Sequence, residues 1–162
     1  MLGNLHSFIL ILSLFLIIYL VNYAYLYYKY KEINKKELMN NIMGTVFLVF
    51  SVLKFLDLTK FVKIFSKYDL ITKFIPIYGY IYPFIELTLS ILFFSRKYLK
   101  YSYVASIILM ITSLLSVGIS MVKGQKLRCG CLGSFLHIPL SYVTISENVI
   151  MLLMASNLMN II

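Results

Sequence analysis

The sequence YSYVASIILMITSLLSVGISMV, residues 101–122, contains no charged side chain. A transmembrane helix needs about 20 consecutive apolar residues to cross a hydrocarbon layer roughly 30 Å thick. This run meets that length, and Lys100 and Lys123 lie immediately before and after it. Residues 101–122 therefore predict a helix that spans a membrane.

Four further apolar runs of similar length flank this one, at residues 5–28, 38–58, 74–94 and 142–162. The first has no basic segment before it, exceeds the about 7–15 residues of a signal-peptide core, and lacks a small-residue cleavage site, so we interpret it as a retained span. The sequence thus predicts an all-α polytopic membrane protein. A four-helix transmembrane bundle occupies residues 38–162, and one additional N-terminal transmembrane helix with a basic loop occupies residues 1–37.

Composition agrees with the lipid bilayer as the main partner of the chain. Hydrophobic residues make up 61% of the 162 positions, charged residues only 13%, and the mean hydropathy is +0.90. A soluble domain is about half apolar and about a quarter charged, and one this short could not bury so much apolar surface. The net charge of +9 comes from lysines clustered between apolar runs, a pattern of membrane loops, so we expect no nucleic-acid partner.

Residues 57–73 form an amphipathic connection between the second and third runs. Apolar side chains recur there at helical spacing, at Phe61, Ile64, Phe65 and Tyr68, with Lys60, Lys63 and Lys67 between them. This pattern predicts a helix lying in the plane of the membrane interface. Tyrosines at the end of the first run and at Tyr78, Tyr80 and Tyr82 are interpreted as an aromatic interface belt.

Three ionisable residues, Lys54, Glu86 and Glu147, lie within or near the predicted spans. Charges inside hydrocarbon are costly and are expected to face the bundle interior and pair, so Lys54 should reach Glu86 or Glu147. One interpretation is a structural ion-pair network. The other is a proton path, or polar contacts to a quinone head group. Pro76 and Pro83 are expected to lie inside the third span and to loosen it.

The two cysteines of the chain form the motif Cys129-Gly130-Cys131. Residues two apart in an extended chain lie near the upper limit of disulfide geometry, so a disulfide requires a bend, which glycine permits. A strained, exposed disulfide exchanges readily. Basic residues also favour the thiolate, and three precede the motif: Lys123, Lys126 and Arg128. These properties suit a catalytic dithiol.

Two other interpretations of the cysteine pair remain open. A structural disulfide is one, although a bridge across a single residue closes too little chain to stabilise much. The other is a soft-metal site, for example for Cu(I), with His137 and Met121 as additional ligands.

Membrane orientation is not decided by charge. With five spans, one side carries Lys29, Lys31, Lys35, Lys36, Arg96, Lys97 and Lys100, and the other carries Lys60, Lys63, Lys67, Lys73, Lys123, Lys126 and Arg128. The two sets are equal, so the positive-inside rule does not choose between them. The uncharged N-terminal tail favours an outside N-terminus. We therefore predict a multi-pass protein of the cell membrane with the Cys129-Gly130-Cys131 loop on the exoplasmic side.

Several of these residues lie in motifs that resemble the MauE family of methylamine utilisation membrane proteins, within the wider DoxX-like group. The closest similarity is Cys129-Gly130-Cys131-Leu132-Gly133, in which Leu132 replaces an aromatic residue of the family signature. Glu147-Asn148 stands where the family has Arg-Asn. The remaining matches are Phe47-x-x-x-Ser51-x-x-Lys54-x-x-Asp57 and Pro83-x-x-Glu86-Leu87.

The resemblance implies a redox-associated membrane protein, because the family is named for a role in maturing the disulfide-rich small subunit of methylamine dehydrogenase. It implies thiol–disulfide exchange at Cys129 and Cys131, with a thioredoxin-like partner and an exoplasmic cysteine-containing substrate protein. A quinone is a further candidate cofactor. Two functions from other classes stay open: a soft-metal binding or transport protein using Cys129, Cys131 and His137, and a non-catalytic membrane scaffold.

Overall fold

The described part of the chain consists of helices connected by short turns, with no strand. In the computed structural model these residues are 2–31, 34–123 and 140–160. The helices are α1 (Leu2–Tyr30), α2 (Lys35–Leu56), α3 (Leu58–Phe65), α4 (Leu70–Phe74), α5 (Ile77–Ser95), α6 (Leu99–Val122) and α7 (Leu140–Asn160). This confirms the all-α class.

Within the described residues, four helices are long and apolar enough to cross a membrane: α1, α2, α5 and α6. The fifth predicted span corresponds to α7, which has 21 residues. At about 1.5 Å per residue, a helix of that length also matches the hydrocarbon thickness.

Helices α2 and α5 begin at other residues than the predicted spans, because capping residues determine where a helix starts. Helix α2 begins at Lys35 rather than at residue 38, because the Asn34 side chain accepts a hydrogen bond from the Lys36 amide at 2.9 Å. Helix α5 begins at Ile77, so the expectation that Pro76 lies inside the third span was wrong. Proline lacks the amide hydrogen that a helix interior requires. Pro76 precedes the first turn of α5, where no helical hydrogen bond needs that amide. Pro83 does lie within α5.

Helices α2 and α5 form the centre of the bundle and approach each other closely. Two serine hydroxyls cross this interface: Ser90 donates to the Gly44 carbonyl at 2.8 Å, and Ser51 donates to the Pro83 carbonyl at 2.9 Å. The rings of Phe47 and Phe93 stack between them at 5.9 Å. Helix α6 packs mainly against α7, and the two pairs together enclose the buried residues.

Helix α1 lies at the periphery and packs chiefly against α2. Its buried residues Ile18, Asn22 and Leu26 follow a four-residue spacing, which puts them on one face of the helix. The Asn22 amide donates to Thr45 Oγ1 of α2 at 3.1 Å and so fixes this contact. Most other described side chains of α1 are exposed and apolar, as expected for a surface facing lipid.

The connection between α2 and α5 contains two short helices, so the prediction of one interfacial helix was wrong. The helix is interrupted before Asp69. The Asp69 carboxylate caps α4 by accepting a hydrogen bond from the Thr72 amide at 2.7 Å. Its other carboxylate oxygen accepts from Ser116 Oγ of α6 at 3.2 Å. The predicted amphipathic pattern is nevertheless present: the lysines of the connection are exposed, and its buried aromatic residues are Phe61, Phe65 and Tyr68.

Candidate functional site

An ion pair between Lys54 of α2 and Glu86 of α5 lies in the interior of the bundle. Lys54 Nζ donates to Glu86 Oε1, and the two side chains are only 3% and 5% exposed. Charges in such surroundings persist because each compensates the desolvation of the other. Of the two partners expected for Lys54, the structure pairs it with Glu86.

Aromatic rings surround the ammonium group of Lys54. Its Nζ lies 4.7 Å from the ring centroid of Tyr82, 5.6 Å from that of Phe61 and 5.9 Å from that of Phe50. Ring faces attract cations, and the attraction is stronger where water is excluded. The rings therefore stabilise the charged lysine while they close the site to solvent.

A small cavity borders the ion pair and brings Glu147 of α7 to the same place. Lys54, Glu86 and Glu147 all line it, together with Ser113 of α6 and Asn148 of α7. The Asn148 amide donates to Ser113 Oγ at 3.0 Å and joins α7 to α6 beside the cavity. All three intramembrane charges predicted from the sequence thus meet around one enclosed space, although they belong to three helices.

The size and polarity of this cavity limit what it can hold. Its volume is about 20 Å³, which is room for about one water molecule. Glu86 Oε2 is buried and has no hydrogen-bond partner among the described residues, so one wall offers a strong acceptor. Pockets that bind organic ligands measure about 300–1,000 Å³, so this cavity is far smaller than a typical ligand site.

The polar cluster lies in the half of the bundle nearest to the connection between α6 and α7. Lys54 is two residues from the end of α2, and Glu147 is seven residues from the start of α7, which is about 10 Å along the helix. Helix α6 ends and α7 begins at that same end, and residues 124–139 lie between them in the sequence. The predicted site residues Cys129, Cys131 and His137 belong to this connection and lie outside the described residues.

The other proposed ligand, Met121, lies in the last turn of α6 and is exposed. In the described ranges, no group of three or more His, Cys, Asp or Glu side chains could hold a metal ion.

Tyr82 and Ser113 contribute hydroxyl groups to the cavity wall, and neither was predicted from the sequence as a site residue. Tyr82 was assigned to an interface belt, but it is buried against Lys54, whereas Tyr80 is exposed. The spacing of four residues from Tyr82 to Glu86 places both on one face of α5 and would have revealed this. Ser113 had no such signal, because its partner Asn148 is distant in sequence.

A comparison with protein-family models supports the resemblance found in the sequence. The family model described as "Methylamine utilisation protein MauE" matches residues 36–160. That range covers α2 to α7 and includes the ion pair, the cavity and the Cys129-Gly130-Cys131 motif. No curated protein and no solved structure matches the chain.

Proposed function

The chain belongs to the MauE family of membrane proteins, and on that premise we propose that Cys129 and Cys131 carry out thiol–disulfide exchange with exoplasmic proteins. The observation that carries this proposal is the Cys129-Gly130-Cys131 motif in the connection that joins α6 to α7. Glycine permits the bend that a disulfide between these cysteines requires, and such a strained bridge exchanges readily.

The charge around the motif supports an exchange role over a structural one. Lys123, Lys126 and Arg128 precede the cysteines and favour the thiolate, which is the reactive form. A purely structural bridge over one residue would contribute little stability. The cysteines are therefore best explained by their reactivity.

The proposed reaction passes two electrons between two cysteine pairs. A partner thiolate attacks one sulfur of the Cys129–Cys131 disulfide, and a mixed disulfide forms while the other cysteine leaves as a thiolate. The second partner thiol, as a thiolate, then attacks the partner sulfur of the mixed disulfide and displaces the cysteine bound to it. This leaves the partner oxidised, and Cys129 and Cys131 are reduced with two protons taken from the partner's thiols. Run backwards, the same steps reduce the partner. Since the chain has no second cysteine pair, a thioredoxin-like protein restores the dithiol or disulfide in each cycle.

The buried polar cluster lies toward the end of the bundle where α6 ends and α7 begins, and it is a second feature suited to this chemistry. Each exchange passes two protons between the thiols of the partner and those of Cys129 and Cys131. Lys54, Glu86 and Glu147 surround a cavity with room for about one water molecule. We assign these residues a supporting role, in which they hold the bundle around the cavity and accept or return protons. We propose no quinone in this cavity because of its size.

A trapping experiment tests the exchange reaction. With Cys131→Ser, the mixed disulfide at Cys129 cannot resolve, so a higher-mass band should appear on a non-reducing gel of membranes and disappear on reduction. The control is the double change of Cys129 and Cys131 to Ser, which should give no such band. His137→Ala should not affect the band, because exchange needs no third ligand.

The opposite result would favour the soft-metal alternative. Metal binding predicts no trapped partner, tight Cu(I) binding by the purified protein, and weaker binding after His137→Ala. That set of results would refute thiol–disulfide exchange. A protein that neither traps a partner nor binds metal would instead fit a membrane scaffold.

A further inference from the structure

A second and larger pocket lies at the opposite end of the bundle from the Lys54–Glu86 pair. It is formed between the last turns of α1, the first turns of α2 and the end of α5, and its volume is about 470 Å³. This volume is within the range of about 300–1,000 Å³ that is typical of ligand-binding pockets.

Two cations line this pocket, Lys29 of α1 and Arg96 after α5. Lys29 Nζ lies 5.1 Å from the ring centroid of Tyr30 and 5.7 Å from that of Tyr25, which hold it at the wall. Glu37 also lines the pocket. No salt bridge between Glu37 and either cation is found among the described residues, where the ion pair is Lys54–Glu86. Two cations and one carboxylate leave the pocket with a net positive charge.

The guanidinium of Arg96 is anchored on one side only. Its Nη2 donates to the Glu37 carbonyl at 3.1 Å and to the Asn41 side chain at 2.5 Å. Its Nη1 is buried and has no hydrogen-bond partner in the part of the chain that the structure describes. A buried donor without a partner costs free energy, and an anion in the pocket would supply the missing acceptor.

The pocket is polar at one end and apolar at the other. Val21 lines it eight residues before Lys29, which is about 12 Å deeper along α1, and it is exposed. Phe94 of α5 is also exposed beside it. The cations therefore lie near the helix ends, at the level expected for lipid head groups, and the apolar walls extend toward the hydrocarbon.

We propose that this pocket binds the phosphate-bearing head group of an anionic membrane lipid, with Arg96 and Lys29 contacting the phosphate and an acyl chain lying along Val21 and Phe94. Arginine pairs well with phosphate because its donors form a planar fork. Basic pockets between transmembrane helices are a known mode of lipid head-group recognition. Such a lipid would link α1 to the centre of the bundle, which it otherwise contacts mainly through α2.

The test uses the full-length protein in a neutral detergent, with phosphatidylglycerol and phosphatidylcholine as the two probes. Native mass spectrometry measures how much of each lipid is bound across a titration. We expect preferential binding of phosphatidylglycerol, weakened about five- to tenfold by Arg96→Gln and by Lys29→Gln. The matched control is Lys97→Gln, which removes an exposed charge beside Arg96 that does not line the pocket.

Lys29→Gln keeps the test valid if Arg96→Gln disturbs folding, because the interactions found for Lys29 in the described residues are with Tyr25 and Tyr30 of its own helix. Equal loss of binding in Lys97→Gln and Lys29→Gln would overturn the proposal, because surface charge alone would then explain the binding. Unchanged binding in Lys29→Gln would also overturn it. Inorganic phosphate is the third probe. If phosphate displaces no bound lipid, the lipid is the ligand. If phosphate binds while the lipid does not, the lipid assignment is wrong.

Discussion

Lys54 contacts the Glu86 carboxylate and three aromatic rings, and these contacts explain how a lysine is tolerated inside an apolar bundle. The Glu86 carboxylate compensates its charge, and the ring faces of Phe50, Phe61 and Tyr82 add a weaker attraction. Removing one member of such a pair leaves the other charge stranded. The pair therefore fixes how α2 and α5 face each other.

Replacing Lys54 by Met should strongly destabilise the bundle, because Glu86 would remain buried without its cation. The expected cost is about 3–5 kcal/mol, which is typical for breaking a buried ion pair. Thermal unfolding of the purified protein in detergent measures it. Adding Glu86→Gln to Lys54→Met should restore part of the lost stability, since Glu86 is then no longer a buried charge without its cation.

The control for this prediction is Lys63→Met, which removes an exposed lysine of α3. It should change the free energy of unfolding by about 0.5 kcal/mol at most. If Lys54→Met were as mild as Lys63→Met, the ion pair would not hold the helices together.

A second residue-level prediction concerns the hydrogen bond from the Tyr103 hydroxyl to Asn40 Oδ1, at 2.7 Å. Tyr103 is fully buried and Asn40 is 1% exposed, so Tyr103→Phe would leave a buried acceptor without its donor. The expected loss is about 1–3 kcal/mol in thermal unfolding. Tyr101→Phe, on the same helix but 72% exposed, is the matched control and should be nearly silent. Equal effects of the two changes would contradict the role of this bond.

At the level of helices, the α2–α5 interface depends on a small residue. A Cβ atom added to Gly44 would lie 3.2 Å from the Phe94 ring and 3.3 Å from Phe93 Cβ, which is closer than most such contacts. The missing side chain also leaves the Gly44 carbonyl accessible to Ser90 Oγ. Close backbone approach at small residues is a common way for transmembrane helices to pack.

Gly44→Leu should therefore separate α2 from α5 and destabilise the protein by about 1–3 kcal/mol, the usual cost of overpacking. Gly118→Leu is a matched control on α6, because a Cβ at Gly118 would meet nothing within 4 Å. Both changes add the same side chain to a glycine of a membrane-spanning helix. Comparable loss of thermal stability in both would show that the cost comes from leucine itself rather than from the interface.

The helices themselves could be predicted from the sequence because long apolar runs leave few alternatives in a chain of this composition. The break between α3 and α4 could not, because it depends on Asp69 contacting Ser116, 47 residues away. The sequence predicts that Lys54 pairs with Glu86 or Glu147. The ion pair with Glu86 follows from the packing of α2 against α5, which the sequence does not show. The prediction that Tyr82 belongs to an interface belt was wrong because Tyr80 and Tyr82 lie on different faces of α5. Only the face that carries Tyr82 is buried.

Considered as a whole, the molecule has two chemically different ends. The end where α1 meets α2 and α5 meets α6 carries the basic pocket, and Arg96 joins the α5–α6 connection to the start of α2 through Glu37 and Asn41. The other end carries α3, α4 and the start of α7, with the Lys54–Glu86 pair beneath. Helix α6 also ends there, and residues 124–139, which include both cysteines, follow it in the sequence. The proposed thiol–disulfide exchange therefore requires that this second end faces outward.

We predict that the end bearing Cys129 and Cys131 is exoplasmic, because the N-terminal tail carries no charge and disulfides persist in oxidising compartments. After mild reduction, a membrane-impermeant maleimide should label Cys129 or Cys131 in intact cells. A matched probe of the other end is Lys97→Cys in a protein whose two native cysteines are changed to Ser. Position 97 is exposed, and the new cysteine should be labelled only after lysis. The reverse pattern would place the cysteines in the cytoplasm, where disulfides are rare, and would remove the compartment that thiol–disulfide exchange with exoplasmic proteins requires.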